Sequence, residues 1–148
     1  MDEVFSNVTL QLMESDSDIK RCFEVMRQLR PQLKSADDLL VCARRQRPEG
    51  YRILAVLQAG SPVGLAGYRM MTNMIHGHFL YVDDLITTES IRGTGIGALL
   101  IRDLKAIAGR AGCNRLVLDT ALGNALGQRF YFRQGLLAGG MQFAVDLS

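Results

Sequence analysis

Residues 83–100 hold the densest chemical signal in the chain. Two adjacent carboxylates, Asp83 and Asp84, stand within an apolar run, and Arg92 follows a short polar stretch. Glycine then occupies positions 93, 95 and 97, ahead of Leu99 and Leu100. Glycine lets the backbone turn tightly and lets a ligand approach its amides. A helix that starts at such a turn has unpaired N–H groups and the positive end of its dipole there. Together these seat a phosphate with few side chains. Two common nucleotide loops do not fit. A Walker loop needs Gly-Lys-Ser/Thr, and this chain has Gly97-Ala98-Leu99. A dinucleotide fingerprint spaces its glycines G-x-G-x-x-G near the first strand, whereas this triplet is evenly spaced and late in the chain. A tight strand-to-helix turn with no ligand is the plain alternative, so the glycines alone decide nothing.

The flanking elements follow from periodicity. Val8 to Leu12 alternates as a strand. Asp16-Ser17-Asp18 offers N-caps to a helix with Cys22, Phe23, Val25, Met26 and Leu29 at helical spacing, stopped by Pro31. Ser35 opens a second helix with Asp37 and Asp38 in its first turn; Leu39, Leu40, Val41 and Ala43 are expected to face inward. Strands are expected at 51–57, 63–71 and 79–86, joined by short turns as an antiparallel meander. The period then becomes helical over 97–111, with Gly112 as terminator. A short strand at 116–118, a helix at 125–134 closed by Gly135, and a last strand at 141–147 complete the order, with a small strand expected near Leu137. The fold class is α+β, a single domain of residues 1–148 around one central sheet.

Composition narrows the partners. The 148 residues are 48% hydrophobic and 22% charged, an ordinary folded balance. Seventeen basic against fifteen acidic residues leave +2, too even to expect nucleic acid as the main partner. No apolar run reaches the ~18 residues of a membrane span, and the acidic Met1-Asp2-Glu3 start is not expected to be a secretory signal. Cys22, Cys42 and Cys113 form no CxxC pair and no metal spacing, and His76 and His78 lack companion ligands, so no metal is expected. Reduced, mostly buried thiols in a cytoplasmic protein are the expectation.

Three segments together carry a resemblance. Arg92-x-x-Gly95-x-Gly97 resembles the acetyl-CoA motif of the GNAT superfamily of N-acyltransferases. Tyr81-Val82-Asp83-Asp84-Leu85 resembles the family's central strand, which runs ungapped into that loop in polyamine-type members. Downstream, Asn124 is followed after seven residues by Tyr131 and after four more by Gly135, and Phe130-Tyr131-Phe132-Arg133-Gln134-Gly135 is similar to the family's aromatic segment. The resemblance covers residues from about Gly50 onward, and the N-terminal helices by element order only. Gly127 departs from the usual Ala and Leu136 from the usual Phe. The first costs that helix up to ~1 kcal/mol.

The resemblance implies a central mixed, mostly antiparallel sheet with helices on both faces and splayed central strands. It implies acetyl-CoA as cosubstrate, held by backbone across Arg92, Gly93, Thr94, Gly95, Ile96, Gly97 and Ala98. Leu85, Ile86 and Thr87 would pair with the pantetheine arm like an added strand; Asn124 would bond that arm or cap its helix. Acetyl transfer to an amine needs the amine neutral, so a base is required. Asp83 occupies the position of an acidic base in the polyamine-type members, and Asp84 is the second candidate. Neighbouring strand residues face opposite sides, so both look into one pocket only if a bulge intervenes. Tyr131 would protonate the leaving thiolate. The acceptor would be a small-molecule or protein amine favoured by Asp83, Asp84 and Glu89, with Met70, Met71, Met74 and Met141 as an adaptable wall or as core filling. Family members often dimerise, and the last strand offers an edge to a second copy. The rival expectation is a non-catalytic acyl-CoA-binding module.

Overall fold

Strand β1, Val8–Leu12, forms where the alternation predicts it. It begins a computed structural model of the protein that describes residues 7–148, so the acidic start of the chain lies outside the described residues. The chain divides after Val117 into two compact units, the second being Leu118–Ser148.

In the first unit, β2 (Arg52–Gln58), β3 (Ser61–Asn73) and β4 (Gly77–Thr87) follow β1 as an antiparallel meander. With β5 (Arg115–Leu118) they make a five-stranded sheet in the order β1-β2-β3-β4-β5. Ala59 and Gly60 both take positive φ (50° and 82°) and join β2 to β3 by the two-residue turn that matches strand twist. At the β3–β4 tip, Asn73 Oδ1 accepts from the amides of Ile75 and His76 (3.0 and 2.8 Å), fixing the turn before Gly77. Both long strands exceed their expected bounds, because cross-strand pairing carries the ladder past the apolar residues.

Alternation along the strands sends two side-chain sets to opposite faces. Ile53, Ala55, Leu57, Leu65 and Ile86 join Met13, Ile19, Cys22, Val25, Met26, Leu39 and Leu40 in one core. That core is closed by α1 (Asp16–Arg21), α2 (Phe23–Leu29) and α3 (Ala36–Gln46). The other face is covered by α4 (Ile96–Arg110) through Ile96, Leu100, Ile101 and Leu104, all almost wholly buried. Gly64 lies under α4: a Cβ there would stand 2.7 Å from Ile96 Cγ2.

Several expectations need correction. The helix expected up to Pro31 is broken at Cys22 into α1 and α2, and its N-cap is Ser15, whose hydroxyl accepts from Asp18 N–H. Val41 is 54% exposed, since the buried stripe of α3 runs through Leu39, Leu40 and Ala43 and leaves position 41 on the outer side. Met74 is fully exposed at the β3–β4 tip and fills no core. No helix among the described residues is long and apolar enough to cross a membrane.

The second unit holds α5 (Ala125–Arg133) followed by Gly135 at φ 88°, as its sequence predicts. The last strand does not form: residues 136–148 carry no secondary structure, and neither does the neighbourhood of Leu137. Met141, Phe143, Val145 and Leu147 keep their alternation but are exposed. Period two supplies one apolar side, whereas a strand also needs a ladder partner, and none engages this segment among the described residues.

Candidate active site

The glycine turn is built as its composition requires. Gly93 and Gly95 take φ of 81° and 92°, a region that side-chain-bearing residues rarely enter, and Gly95 is the N-cap of α4. A Cβ at Gly93 would meet nothing within 4 Å, so the turn is open on that side. Arg92 turns back onto the loop, its Nε donating to Thr87 O (3.3 Å) and its Nη1 3.8 Å from Glu89. Thr94 Oγ1 donates to Ile91 O. The side chains thereby brace the turn, and the first amides of α4 have no acceptor within their own helix.

Upstream, a β-bulge re-aims the two carboxylates. Gly67 pairs with Asp84 and the next residue, Tyr68, pairs with Val82, so Asp83 is the extra residue. In a regular strand Asp83 and Asp84 would face opposite sides; the bulge brings both to the face of α1–α3. Asp83 is held by a two-pronged bond from Arg69, Nε to Oδ2 at 2.9 Å and Nη2 to Oδ1 at 2.8 Å. Asp84, whose side chain is 13% exposed, accepts from Arg30 Nε (2.9 Å) and from the Tyr51 hydroxyl (2.6 Å). Arg30 also donates from Nη2 to the carbonyl oxygen of Asp83 (2.8 Å). Arg69 lies over the Tyr81 ring, 5.9 Å from its centroid.

Electrostatics follow from these contacts. Burial first, and the Asp84 carboxylate second, push Tyr51 well above the ordinary tyrosine range, so its hydroxyl stays a donor. The hydrogen bonds that Arg69 donates to Asp83 raise its pKa, so it keeps its charge. Each aspartate has an arginine partner, and the formal charges of the four groups cancel. Arg30, Tyr51 and Arg69 were not among the candidates read from sequence. Their partners lie 54, 33 and 14 residues away, where no local pattern reports them.

Leu85, Ile86 and Thr87 pair with Ala66, Leu65 and Gly64 of β3. Ile86 is buried in the core below α2. In the second unit, Asn124 caps α5, its Oδ1 accepting from Gly127 N–H at 3.0 Å. A Cβ at position 127 would crowd the Asn124 side-chain amide, which would have to shift to admit the usual alanine. Asn124→Ala is expected to lower the unfolding free energy by about 1 kcal/mol, read by urea denaturation. The Tyr131 ring packs edge-on against Phe130, centroids 5.4 Å apart, and burial raises its pKa above the usual 10.0.

The remaining candidates fall to structural roles. His76 packs on Phe79 (5.0 Å) and lies 3.0 Å from Arg115 Nη1, and His78 Nδ1 is 3.1 Å from Thr72 Oγ1. Among the described residues no group of three or more His, Cys, Asp or Glu is placed to hold a metal ion. Of the thiols expected to be mostly buried, only Cys22 is buried, and burial pushes it up to about 12; Cys42 is exposed and Cys113 half-buried. A disulfide reagent at neutral pH is therefore expected to label Cys42 in the native protein and Cys22 only on unfolding. Rapid native labelling of Cys22 would contradict its burial.

A mostly antiparallel sheet, a bulged fourth strand, and a glycine turn opening the next helix define the architecture of a GNAT-type acyltransferase. Residues 15–136 match the sequence pattern described as the acetyltransferase (GNAT) family. The chain belongs to that family. A Trypanosoma brucei acetyltransferase structure superposes with a TM-score of 0.77 at 26% identity, covering 95% of this chain and 99% of that one. Aminoglycoside N-acetyltransferase AAC(6')-Iy in complex with CoA has the same fold, with a TM-score of 0.82 at 15% identity over 95% of this chain and 94% of that one. Glucosamine 6-phosphate N-acetyltransferase 1 of Dictyostelium discoideum is 28% identical over 67 residues, which is 45% of this chain and 41% of that protein. The chain thus matches about two fifths of that relative's length.

Proposed function

We propose that the protein transfers an acetyl group from acetyl-CoA to a primary amine, by direct attack within a ternary complex. The observation that carries this reading is the open glycine turn at the N-terminus of α4, fed by a strand whose bulge turns two carboxylates to one face. The family match crosses the division after Val117, which supports one transferase domain made of both units.

The backbone from Gly93 to Ala98 would hold the pyrophosphate, with Arg92 shaping the turn rather than supplying the main charge. Leu85, Ile86 and Thr87 would offer main-chain groups to the pantetheine amides, and Asn124 would add a side-chain bond while capping α5. Acetyl-CoA supplies the thioester at whose acyl carbon the amine forms its new bond as the carbon–sulfur bond breaks. Asp83 takes the proton the amine must lose, through a water on the lone pairs that Arg69 leaves free. Tyr131 gives its phenol proton to the departing thiolate; its raised pKa keeps that proton in place at neutral pH. Because Arg30 and Arg69 balance Asp83 and Asp84, the acceptor is selected by hydrogen bonding and shape rather than by net negative charge.

Calorimetry with CoA, and thiol release from acetyl-CoA over a panel of amines, test the reading. The panel spans small amines, a polyamine, an aminoglycoside and peptides with free lysine or N-terminus. Saturable CoA binding with amine-dependent release is expected. Binding without release for any amine would favour the non-catalytic acyl-CoA module, and no binding would overturn both.

A further inference from the structure

The segment from Asp83 to Glu89 joins the bulge to the glycine turn, and helix α2 grips it at both ends. At one end Arg30, the C-cap of α2, donates to Asp84 Oδ1 (2.9 Å) and to the Asp83 carbonyl oxygen (2.8 Å). A bulge disturbs the ladder at its extra residue, and the guanidinium satisfies that residue's carbonyl. At the other end Gln28 uses both ends of its amide: Oε1 accepts from Glu89 N–H (3.0 Å), and Nε2 donates to Thr88 Oγ1 (3.1 Å). The same Nε2 is 3.1 Å from Glu24 O of its own helix, which fixes the rotamer. Between the two grips Ile86 is buried with Val25 and Met26 of α2.

We infer that Gln28 and Arg30 are positioning residues: they clamp residues 83–89 so that the main chain of Leu85–Thr87 is presented at a fixed height and the glycine turn at a fixed angle. The inference rests on the proposed transferase reading, because it assigns this segment to acetyl-CoA. Neither side chain touches a reacting atom. Their effect is to order, before binding, a strand that would otherwise be ordered by the cosubstrate itself. A helix on the sheet face that carries Asp83 and Asp84 thereby sets affinity for the cosubstrate.

The test uses the full chain with Gln28→Leu and Arg30→Met, which keep bulk and remove the polar groups. Three readouts are taken: KM for acetyl-CoA, KM for the best amine, and amide hydrogen exchange over residues 85–89. Each variant is expected to raise KM for acetyl-CoA about tenfold, the size of one lost hydrogen-bonded anchor; KM for the amine stays within twofold in Gln28→Leu, whereas Arg30→Met, which also unbalances Asp84, changes it as well. Exchange should quicken at Glu89 in Gln28→Leu, with helix α4 still protected, which separates loss of the clamp from loss of the fold. An unchanged KM for acetyl-CoA in either variant, or equal rises in both KM values in Gln28→Leu, would overturn the inference while leaving the transferase reading intact. A wild-type protein that binds no CoA would instead remove the transferase reading, and with it any cosubstrate role for the clamp.

Discussion

Tyr131→Phe is expected to lower kcat by about 10²- to 10⁴-fold, the usual worth of a positioned proton donor. KM for acetyl-CoA should stay within a few-fold, because the ring and its edge-on contact with Phe130 survive the loss of one oxygen. The pH dependence follows from the direction of the shift. Burial raises Tyr131, so the protonated acid persists throughout the neutral range and is lost only above the ordinary tyrosine value. The amine, by contrast, becomes reactive as pH rises towards its own pKa. Activity should therefore climb from neutral pH with no descending limb below about 10. Steady-state thiol release from pH 6 to 10 checks both points. A phenylalanine variant within fivefold of wild-type kcat would remove Tyr131 from the mechanism.

The largest stability effect is expected at Gly67. A Cβ there would stand 2.1 Å from the Tyr51 hydroxyl and 2.5 Å from Asp84 Oδ2, inside the bond those two atoms share. Gly67→Ala must push the tyrosine away, combining overpacking with a weakened bond at a nearly buried carboxylate, and should cost about 3 kcal/mol. Urea unfolding measures it. Adding Tyr51→Phe removes the oxygen in the way, so the double variant should be less destabilised than the sum of the single ones. Tyr51 Cζ would remain 2.6 Å from the new carbon, so recovery is partial. A Gly67→Ala protein within 1 kcal/mol of wild type would mean that the Tyr51–Asp84 bond does not cross that space.

How much of this was legible in the sequence depends on the range of the interaction. The glycine turn and the cap of α5 were readable because each is decided within a few residues. Positive φ needs glycine at 93 and 95, and Asn124 reaches an amide three positions on. The corrections lie where local pattern competed with longer-range structure. Cys22 has a helical neighbourhood, yet α1 ends and α2 begins there, its amide bonding Ile19 O in a tightened turn. Residues 141–147 alternate like a strand without finding a ladder.

The sequence by itself determined the helix-opening glycine turn, the order of the elements from the strand meander to α5 and the family motifs, since dihedral preference and periodicity act along the chain. Only the tertiary structure decided what surrounds the two aspartates. Asp83 became the extra residue of a bulge because of how β3 registers against β4, and its neighbours Arg69, Arg30 and Tyr51 come from three other parts of the chain. Charge pairing and register depend on distance in space, and spacing along the chain does not encode that distance.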